Sequence, residues 1–436
     1  MRITFFGAAS EIGRSCIMVE SENAKILLDA GVKIGAQEEY PLIDDKELKS
    51  IDAVIVSHAH LDHSAYLPHL YTAGFQGRIY ATKPTVELIN ILVSDYLKIS
   101  NPSNVTREGF AKMQKHFEMV EYYKEFKIKD ISLRLVPAGH ILGSAMIEAH
   151  VGKKRLIYTG DVNLRTTKLL DAAYTEYLNA EVLITESTYA GEKDIFASEK
   201  TTLGALTASI KETLTKGGKV LVPSFGVGRA QEILFILDDY MRSGAFPTVQ
   251  IYTDGMVNKA MRIHRHNVIY CRDELQKRIL LNDDDPFKSK NFVQVEGIQE
   301  RKKIMRSNES SIIVTTSGML TGGPILKYLV QMGSDEKNKL ILVGYQAEGT
   351  RGRELADGAK ELEIDGRKVK INLKVEQYRL SAHADRAQLA TLVGKIKNLQ
   401  DIFIVHGEPS KSKEFADVLK NKYKVHLPKL MDSFTL

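Results

Sequence analysis

His58-Ala59-His60-Leu61-Asp62-His63 places four side chains able to bind a hard or borderline metal within six consecutive residues. The segment follows Ala53-Val54-Ile55-Val56, an apolar and largely β-branched run that reads as a buried strand. His58 and His60 alternate as residues leaving a strand do, so both rings can point to the same side. Asp62 and His63 follow as the chain turns into Ser64-Ala65-Tyr66-Leu67. One short segment can therefore serve two ions, with two imidazoles on one and a carboxylate plus an imidazole on the other. A lone histidine is ordinarily a surface or core residue; this spacing, straight after a buried strand, points instead to a metal site.

Three downstream segments offer ligands in a similar setting. Pro137-Ala138-Gly139-His140 and Tyr158-Thr159-Gly160-Asp161 each follow an apolar run, and Val405-His406-Gly407-Glu408 repeats the arrangement. A ligand just past a strand end, beside a glycine, is a rigid way to present a side chain. Each of the three taken singly also fits an ordinary turn residue. Together they supply what the first segment lacks. His58, His60 and His140 can form a three-imidazole site with an open position, as catalytic zinc prefers. Asp62, His63 and His406 can hold a second ion, with Asp161 bridging both. Two ions about 3.5–4 Å apart would activate a shared water and clamp a phosphoryl group. Nitrogen-rich ligation favours zinc over magnesium, so the expectation is two Zn2+ per chain.

Composition bounds the rest. A chain of 436 residues is long for one domain. Its 43% hydrophobic and 26% charged residues are those of an ordinary globular protein. The apolar runs are strand-length, below the roughly 18–20 residues of a membrane span, so no membrane partner is expected. Met1-Arg2-Ile3-Thr4-Phe5-Phe6-Gly7 starts a strand at once, without a signal-peptide pattern. Cys16 and Cys271 are the only cysteines, so no disulfide framework is expected and a reducing cytoplasm is the default. The formal charge of +5 permits a polyanionic partner without establishing one.

Short strands dominate residues 1–200, near 3–6, 16–19, 24–28, 54–56, 132–136, 145–150 and 155–158, with helices near 84–99 and 107–117. Between 201 and 374 the texture changes to strands alternating with amphipathic helices. Ile233, Leu234, Leu237, Tyr240 and Met241 form one such face. That alternation argues for a mostly parallel sheet with helices on its faces. A strand near 369–375 precedes a return, over 375–436, to helix, strand and helix. The fold class is α/β.

These motifs resemble those of the metallo-β-lactamase fold: His58-x-His60-x-Asp62-His63, then Gly139-His140, then Gly160-Asp161, with Asp29 of Leu27-Leu28-Asp29-Ala30-Gly31 matching its early aspartate behind the ligands. Three further segments narrow the resemblance to the β-CASP nucleases. Thr185-Glu186-Ser187-Thr188-Tyr189 is similar to their first accessory motif, with the acid at Glu186. Ser381-Ala382-His383-Ala384-Asp385 is similar to the second, and Val405-His406-Gly407-Glu408 to the third. The motifs occur in family order and span essentially the whole chain.

The resemblance implies an αββα sandwich in two parts, 1–200 and 375–436, with a Rossmann-like β-CASP domain inserted at 201–374. It implies a zinc-dependent ribonuclease close to archaeal and bacterial homologues of the cleavage and polyadenylation specificity factor endonuclease subunit. The family's RNA-directed members carry histidine in the third motif and its DNA-repair members valine, so His406 implies single-stranded RNA as partner. The sequence starts directly on motifs of the nuclease fold, so the expectation is a member without an amino-terminal KH pair and without the extra carboxy-terminal domain of ribonuclease J. Internal cleavage is the expected mode, with 5′→3′ exonuclease action as a second. Catalytic roles are expected for Asp62, Asp161, His383 and Glu186. His383 would bind the scissile phosphate or protonate the leaving oxygen. Glu186 would orient His383 or a ligand histidine.

In an open parallel sheet, ligands bind beyond the carboxyl ends of the strands. On that ground Ser317, Arg351 and Arg353 are candidate contacts to RNA phosphates, although glycines and polar residues after strands are also plain turns. The competing readings are a catalytically silent scaffold in an RNA-processing complex and a DNA nuclease of the same fold. A homodimer is a further expectation from the resemblance.

Overall fold

Ala53–Ile55 is a strand in the computed structural model, which describes residues 1–436 apart from 36, 101 and 283. It lies inside a sheet ordered Ser433–Thr435, Arg2–Phe5, Ile17–Glu20, Lys25–Leu28, Ala53–Ile55, Arg78–Ala81 and Phe117–Met119. A second sheet runs Lys424–His426, Asp401–Ile404, Val182–Thr185, Lys154–Tyr158, Ala145–Val151, Ile131–Pro137 and Glu125–Ile128. Both sheets use strands from the two ends of the chain.

Strand alternation explains how the sheets pack. Ile3 and Phe5, Ile26 and Leu28, and Ala53 and Ile55 face one cluster shared with Leu133, Leu135, Ile147, Leu156, Tyr158 and Phe403 of the second sheet. The intervening residues of the second sheet, Val136, Met146, Ile157, Leu183 and Ile404, point the other way. They bury Leu389, Leu392 and Val393 of helix Arg386–Lys395 and Phe415 of helix Pro409–Leu419. Helix Lys83–Ile99 lies against the strand Phe117–Met119 of the first sheet. The result is an αββα sandwich.

The second unit carries a sheet ordered Phe292–Gln294, Gln250–Asp254, Ser311–Thr315, Val220–Pro223, Lys339–Leu342 and Lys374–Gln377. Every pairing in it is parallel among the described residues. The chain lays its first strand centrally, moves outward to one side, returns between, and then builds the other side. This is the doubly wound pattern expected of alternating strands and helices. Helix Arg229–Arg242 buries Ile233, Leu234 and Leu237, and helix Pro324–Met332 packs Ile325, Tyr328 and Leu329 on Leu221, Ile313 and Leu340.

The two compact units are Met1–Thr166, Leu170–Ile195 and His383–Leu436 for the first, and Thr167–Leu169 and Phe196–Ala382 for the second. The second unit ends at Ala382, where the sequence reading placed the end of the insert at 374. The single strand anticipated near 369–375 is two: Arg367–Lys370 closes a hairpin with Glu361–Ile364, and Lys374–Gln377 adds a parallel edge beside Lys339–Leu342. An alternating apolar pattern does not say which sheet a strand will join.

Candidate metal centre

The candidate ligands read from the sequence follow strand ends of the first unit, two of them on a short helix. Ala53–Ile55 delivers His58 and His60, and the short helix Leu61–Ser64 carries Asp62 and His63. Ile131–Pro137 delivers His140, Lys154–Tyr158 delivers Asp161, and Asp401–Ile404 delivers His406. Two turns depend on glycine. Gly160 has φ +51°, and a Cβ there would lie 2.6 Å from the Ser57 side chain. At Gly407 a Cβ would lie 2.1 Å from Ser187 Oγ and 2.6 Å from the Ser187 carbonyl oxygen.

The side chains converge in two groups. Ligand atoms of His58, His60, His140 and Asp161 all lie within 4.8 Å of one another, and so do those of Asp62, His63 and His406. Asp161 stands between them. Its Oδ2 is 3.5 Å from His58 Nε2 and 3.6 Å from His140 Nε2, whereas its Oδ1 is 3.4 Å from His63 Nε2 and 3.3 Å from His406 Nδ1. His406 Nε2 lies 3.2 Å from Asp62 Oδ2.

Hydrogen bonds set how the rings face. Asp29 is fully buried; its Oδ1 accepts the Ser57 N–H, and its Oδ2 accepts the Ser57 hydroxyl, the Tyr158 hydroxyl and His63 Nδ1, each at 2.7 Å. A carboxylate offers acceptors alone, so His63 carries a proton on Nδ1 and turns Nε2 toward Asp161. The Ser57 hydroxyl, having donated to Asp29, accepts from His58 Nδ1 at 3.0 Å, which likewise turns His58 Nε2 inward. Asp29 thereby orients one ring in each group.

The donor set fits cations. Burial holds His58 well below the usual histidine range and lowers His60. Yet His60 Nδ1 faces His58 Nε2 at 3.2 Å and His140 Nε2 at 3.1 Å. One proton can bridge one of these pairs and leaves the other with opposed lone pairs. Asp161 Oδ1 is buried without a hydrogen bond, an arrangement that costs free energy unless positive charge faces it. Burial also lowers His63, but Asp161 and Asp29 outweigh it and raise that ring well above its ordinary range. His406 is raised against the same burial by Asp161 and Asp62. The carboxylates thus make this cluster attractive to positive charge.

His383 and Glu186 are also brought to this site. His383 Nδ1 lies 2.9 and 3.1 Å from the two Glu186 oxygens and 3.9 Å from Asp161 Oδ2, and its ring is 4.6 Å from that of His140. Burial lowers the His383 ring, but Glu186 and Asp161 prevail and raise it to about 9. Glu186 Oε1 also accepts the Val162 N–H at 2.7 Å, directly after Asp161. Ala384 N donates to the Val162 carbonyl at 2.6 Å, so one residue, Val162, is held by both accessory segments.

Ser317, Arg351 and Arg353 belong to the other unit, on the carboxyl-end loops of its sheet and the following helix Arg351–Ala356. There the Ser317 hydroxyl donates to the Gly322 carbonyl at 3.1 Å, and Arg351 Nε donates to the Glu363 carbonyl at 2.7 Å. Arg353, exposed, pairs with Asp357 at 2.8 Å. Sequence reasoning passed over Ser57, Tyr158 and Thr188, whose hydroxyl lies 3.3 Å from His406 Nδ1. Ser57 adjoins His58 and Thr188 lies inside a quoted motif. Tyr158 opens another quoted segment, but nothing local marks its hydroxyl as a partner of Asp29.

Comparisons with known proteins agree with this architecture. A family model described as a metallo-beta-lactamase superfamily domain matches residues 18–188. A Beta-Casp domain model matches 230–355, and a Zn-dependent metallo-hydrolase RNA specificity domain model matches 368–428. Transcription termination factor FttA of Methanocaldococcus jannaschii is 38% identical, over 99% of this chain and 71% of that protein. An RNase J-like protein of the same organism is 39% identical, over 97% of this chain and 96% of that protein. A crystal structure of a protein of unknown function from Enterococcus faecalis V583 matches with a TM-score of 0.61 at 15% identity, covering 100% of this chain and 99% of that one, which speaks for the fold alone. Among the described residues, no helix is long and apolar enough to cross a membrane.

Proposed function

The chain belongs to the β-CASP family of metallo-β-lactamase-fold, metal-dependent nucleases, and from that premise we propose that it hydrolyses phosphodiester bonds of single-stranded RNA with two zinc ions, cutting internally. The observation that carries this reading is the position of Asp161, with one oxygen toward each of two complete ligand groups. The RNA specificity domain match and the RNase J-like relative support RNA as the substrate. A silent scaffold has no need of a full ligand set, and a DNA nuclease is disfavoured by histidine at position 406. Action in the cytoplasm fits two buried, unpaired cysteines. Removal of nucleotides from a 5′ end is the second mode carried by the same reading.

His58, His60 and His140 would hold one ion, Asp62, His63 and His406 the other, and Asp161 would touch both. When bound, the ions would supply Lewis acidity at the phosphoryl oxygens and acidify the attacking water. The protein's own groups do the rest. Asp29 keeps the ring nitrogens of His58 and His63 turned inward, so ligand geometry is settled before substrate arrives. Glu186 holds His383 by Nδ1, leaving Nε2 to donate to the scissile phosphate or to the departing 3′ oxygen. In-line attack at phosphorus then gives a 5′-phosphate and a 3′-hydroxyl. Arg353, whose exposed pair with Asp357 is weak and readily exchanged, is the better placed of the candidate phosphate contacts. Arg351 and Ser317 would first have to release carbonyl partners.

The test is incubation of zinc-loaded protein with RNA and DNA of one sequence, labelled internally and at the 5′ end. The expected result is internal RNA fragments bearing 5′-phosphates, with DNA resistant and Asp161→Asn inactive. RNA left intact by wild-type protein, or cut equally by Asp161→Asn, would remove the proposal. Mononucleotides released from the 5′ end would reverse the assignment of mode.

A further inference from the structure

The loop over residues 7–15 joins the first two strands and was not among the segments that carried the metal motifs. Its backbone is strongly folded: Ala8, Ser10 and Arg14 have φ of +57°, +58° and +41°. It reaches all three residues of the Asp62–His63–His406 group. The Ala8 carbonyl accepts the His406 N–H at 2.7 Å, and the Glu11 carbonyl accepts the Gly407 N–H at 3.1 Å. The Ser15 N–H donates to the Asp62 carbonyl at 2.8 Å, and Ser15 Oγ lies 3.4 Å from His63 Nε2. His140, in the other group, takes its brace from a different place, donating its N–H to Ser144 Oγ at 3.1 Å.

The bracing matters because His406 is held in a conformation its backbone resists. Its φ is +48°, in the left-handed region that costs a residue with a Cβ about 1–2 kcal/mol. The turn therefore persists only while its surroundings enforce it. Ser187 and Thr188 grip it on one side, through the Ser187 N–H and Thr188 hydroxyl bonds to the His406 carbonyl, each at 3.2 Å. Ala8 and Glu11 grip it on the other.

What fixes the loop is an ion pair across its own span. Arg14 Nε donates to Glu11 Oε1 at 2.5 Å and Nη2 to Glu11 Oε2 at 3.1 Å, a two-pronged contact between side chains only 8% and 13% exposed. Arg14 Nη1 also donates to the Tyr40 carbonyl at 3.0 Å, and Lys33 reinforces Glu11 at 3.2 Å. Such a fork is directional, so it restrains the backbone that carries it. We propose that Arg14 and Glu11 are positioning residues for one metal subsite: their ion pair holds the Ala8 and Glu11 carbonyls against His406 and Gly407 and so sets the affinity of the Asp62–His63–His406 group for its ion. This inference rests on the two-ion reading above.

The experiment is competitive zinc titration against a chromophoric chelator, with circular dichroism and thermal unfolding of the same samples. Wild type should take up two equivalents. Arg14→Ala should weaken one equivalent by about 10- to 100-fold, the range for groups that orient metal ligands, and leave the other within about twofold. Arg14→Lys keeps the charge without the fork and should recover part of the loss. Glu11→Gln, nearly the same shape, should show the same one-sided weakening and serves if Arg14→Ala does not fold. Both equivalents at wild-type affinity in Glu11→Gln, or both weakened in step, would overturn the proposal. A single equivalent in wild type would instead remove the two-ion reading, and the loop's role with it.

Discussion

Asp29→Asn replaces one carboxylate oxygen by an amide with almost no change of volume, so its effect isolates hydrogen bonding. Asp29 Oδ2 accepts from three donors and Oδ1 from the Ser57 N–H, all at 2.7 Å in a fully buried site. Asparagine can sit in either of two orientations. With its amide nitrogen at Oδ1, two N–H donors meet, and the Ser57 backbone cannot turn away. With the nitrogen at Oδ2, the Ser57 and Tyr158 hydroxyls can rotate to accept, but His63 can no longer keep a proton on Nδ1. A neutral ring would then carry its proton on Nε2, with no lone pair facing Asp161. Each charge-assisted bond lost is worth about 1.5–3 kcal/mol, so roughly 2–4 kcal/mol of unfolding free energy should disappear. Zinc affinity should fall about 10- to 100-fold, and in both subsites, because Asp29 orients His63 directly and His58 through Ser57. The assay is urea unfolding of metal-free protein together with chelator-competed zinc titration. An Asn variant within about 0.5 kcal/mol of wild type, the scatter of an ordinary surface change, and with unchanged affinity at both subsites would refute the reasoning.

Other expectations follow from single contacts. His383→Ala should lose about 10²–10⁴-fold in cleavage rate while retaining bound zinc, whereas His406→Ala should lose zinc as well; metal analysis beside a cleavage assay separates them, and identical behaviour would undo the division of roles. Gly407→Ala drives a Cβ to 2.1 Å from Ser187 Oγ and should cost about 1–3 kcal/mol, as overpacking does, read as a lower Tm; an unchanged Tm would deny the turn its tight fit. In the inserted unit, His264 is fully buried, its Nδ1 donating to the Ala260 carbonyl at 2.8 Å, and burial pushes its pKa from 6.5 down to about 4. The unfolded chain therefore binds more protons in that window. The stability His264 contributes is complete above pH 6.5 and is lost as pH falls toward about 4, by up to ~1.4 kcal/mol per pH unit. Unfolding of His264→Phe at pH 7 and pH 5 should show a smaller loss than wild type, and equal losses would refute this.

The legible parts of the molecule were those in which chemistry and local pattern coincide. Four potential ligands in one segment point to a metal site, and a ligand beside a glycine just past a strand points to a rigid presentation, so His140, Asp161 and His406 stood out despite their separation in sequence. The doubly wound sheet was legible because its strands and helices alternate with clear periodicity. The strand Val182–Thr185, entirely buried, was missed because its motif drew the eye to Glu186. Phe117–Met119 fell at the end of an anticipated helix and is a sheet edge with little burial to mark it. The 7–15 loop was illegible for a different reason: it acts through backbone carbonyls, which every residue possesses. Ser317 and Arg351 show the converse, because the sequence offers polar groups at the right strand ends without revealing that carbonyls of the same unit already engage them.

The most direct test of the two-ion ribonuclease account is the initial rate of internal RNA cleavage measured as zinc is returned to metal-free protein, from none to two equivalents per chain. The account predicts little cleavage through the first equivalent, a steep rise with the second, and none at any loading in Asp161→Asn. Full activity at one equivalent, intact RNA at two, or an Asp161→Asn variant that keeps pace with wild type would contradict it.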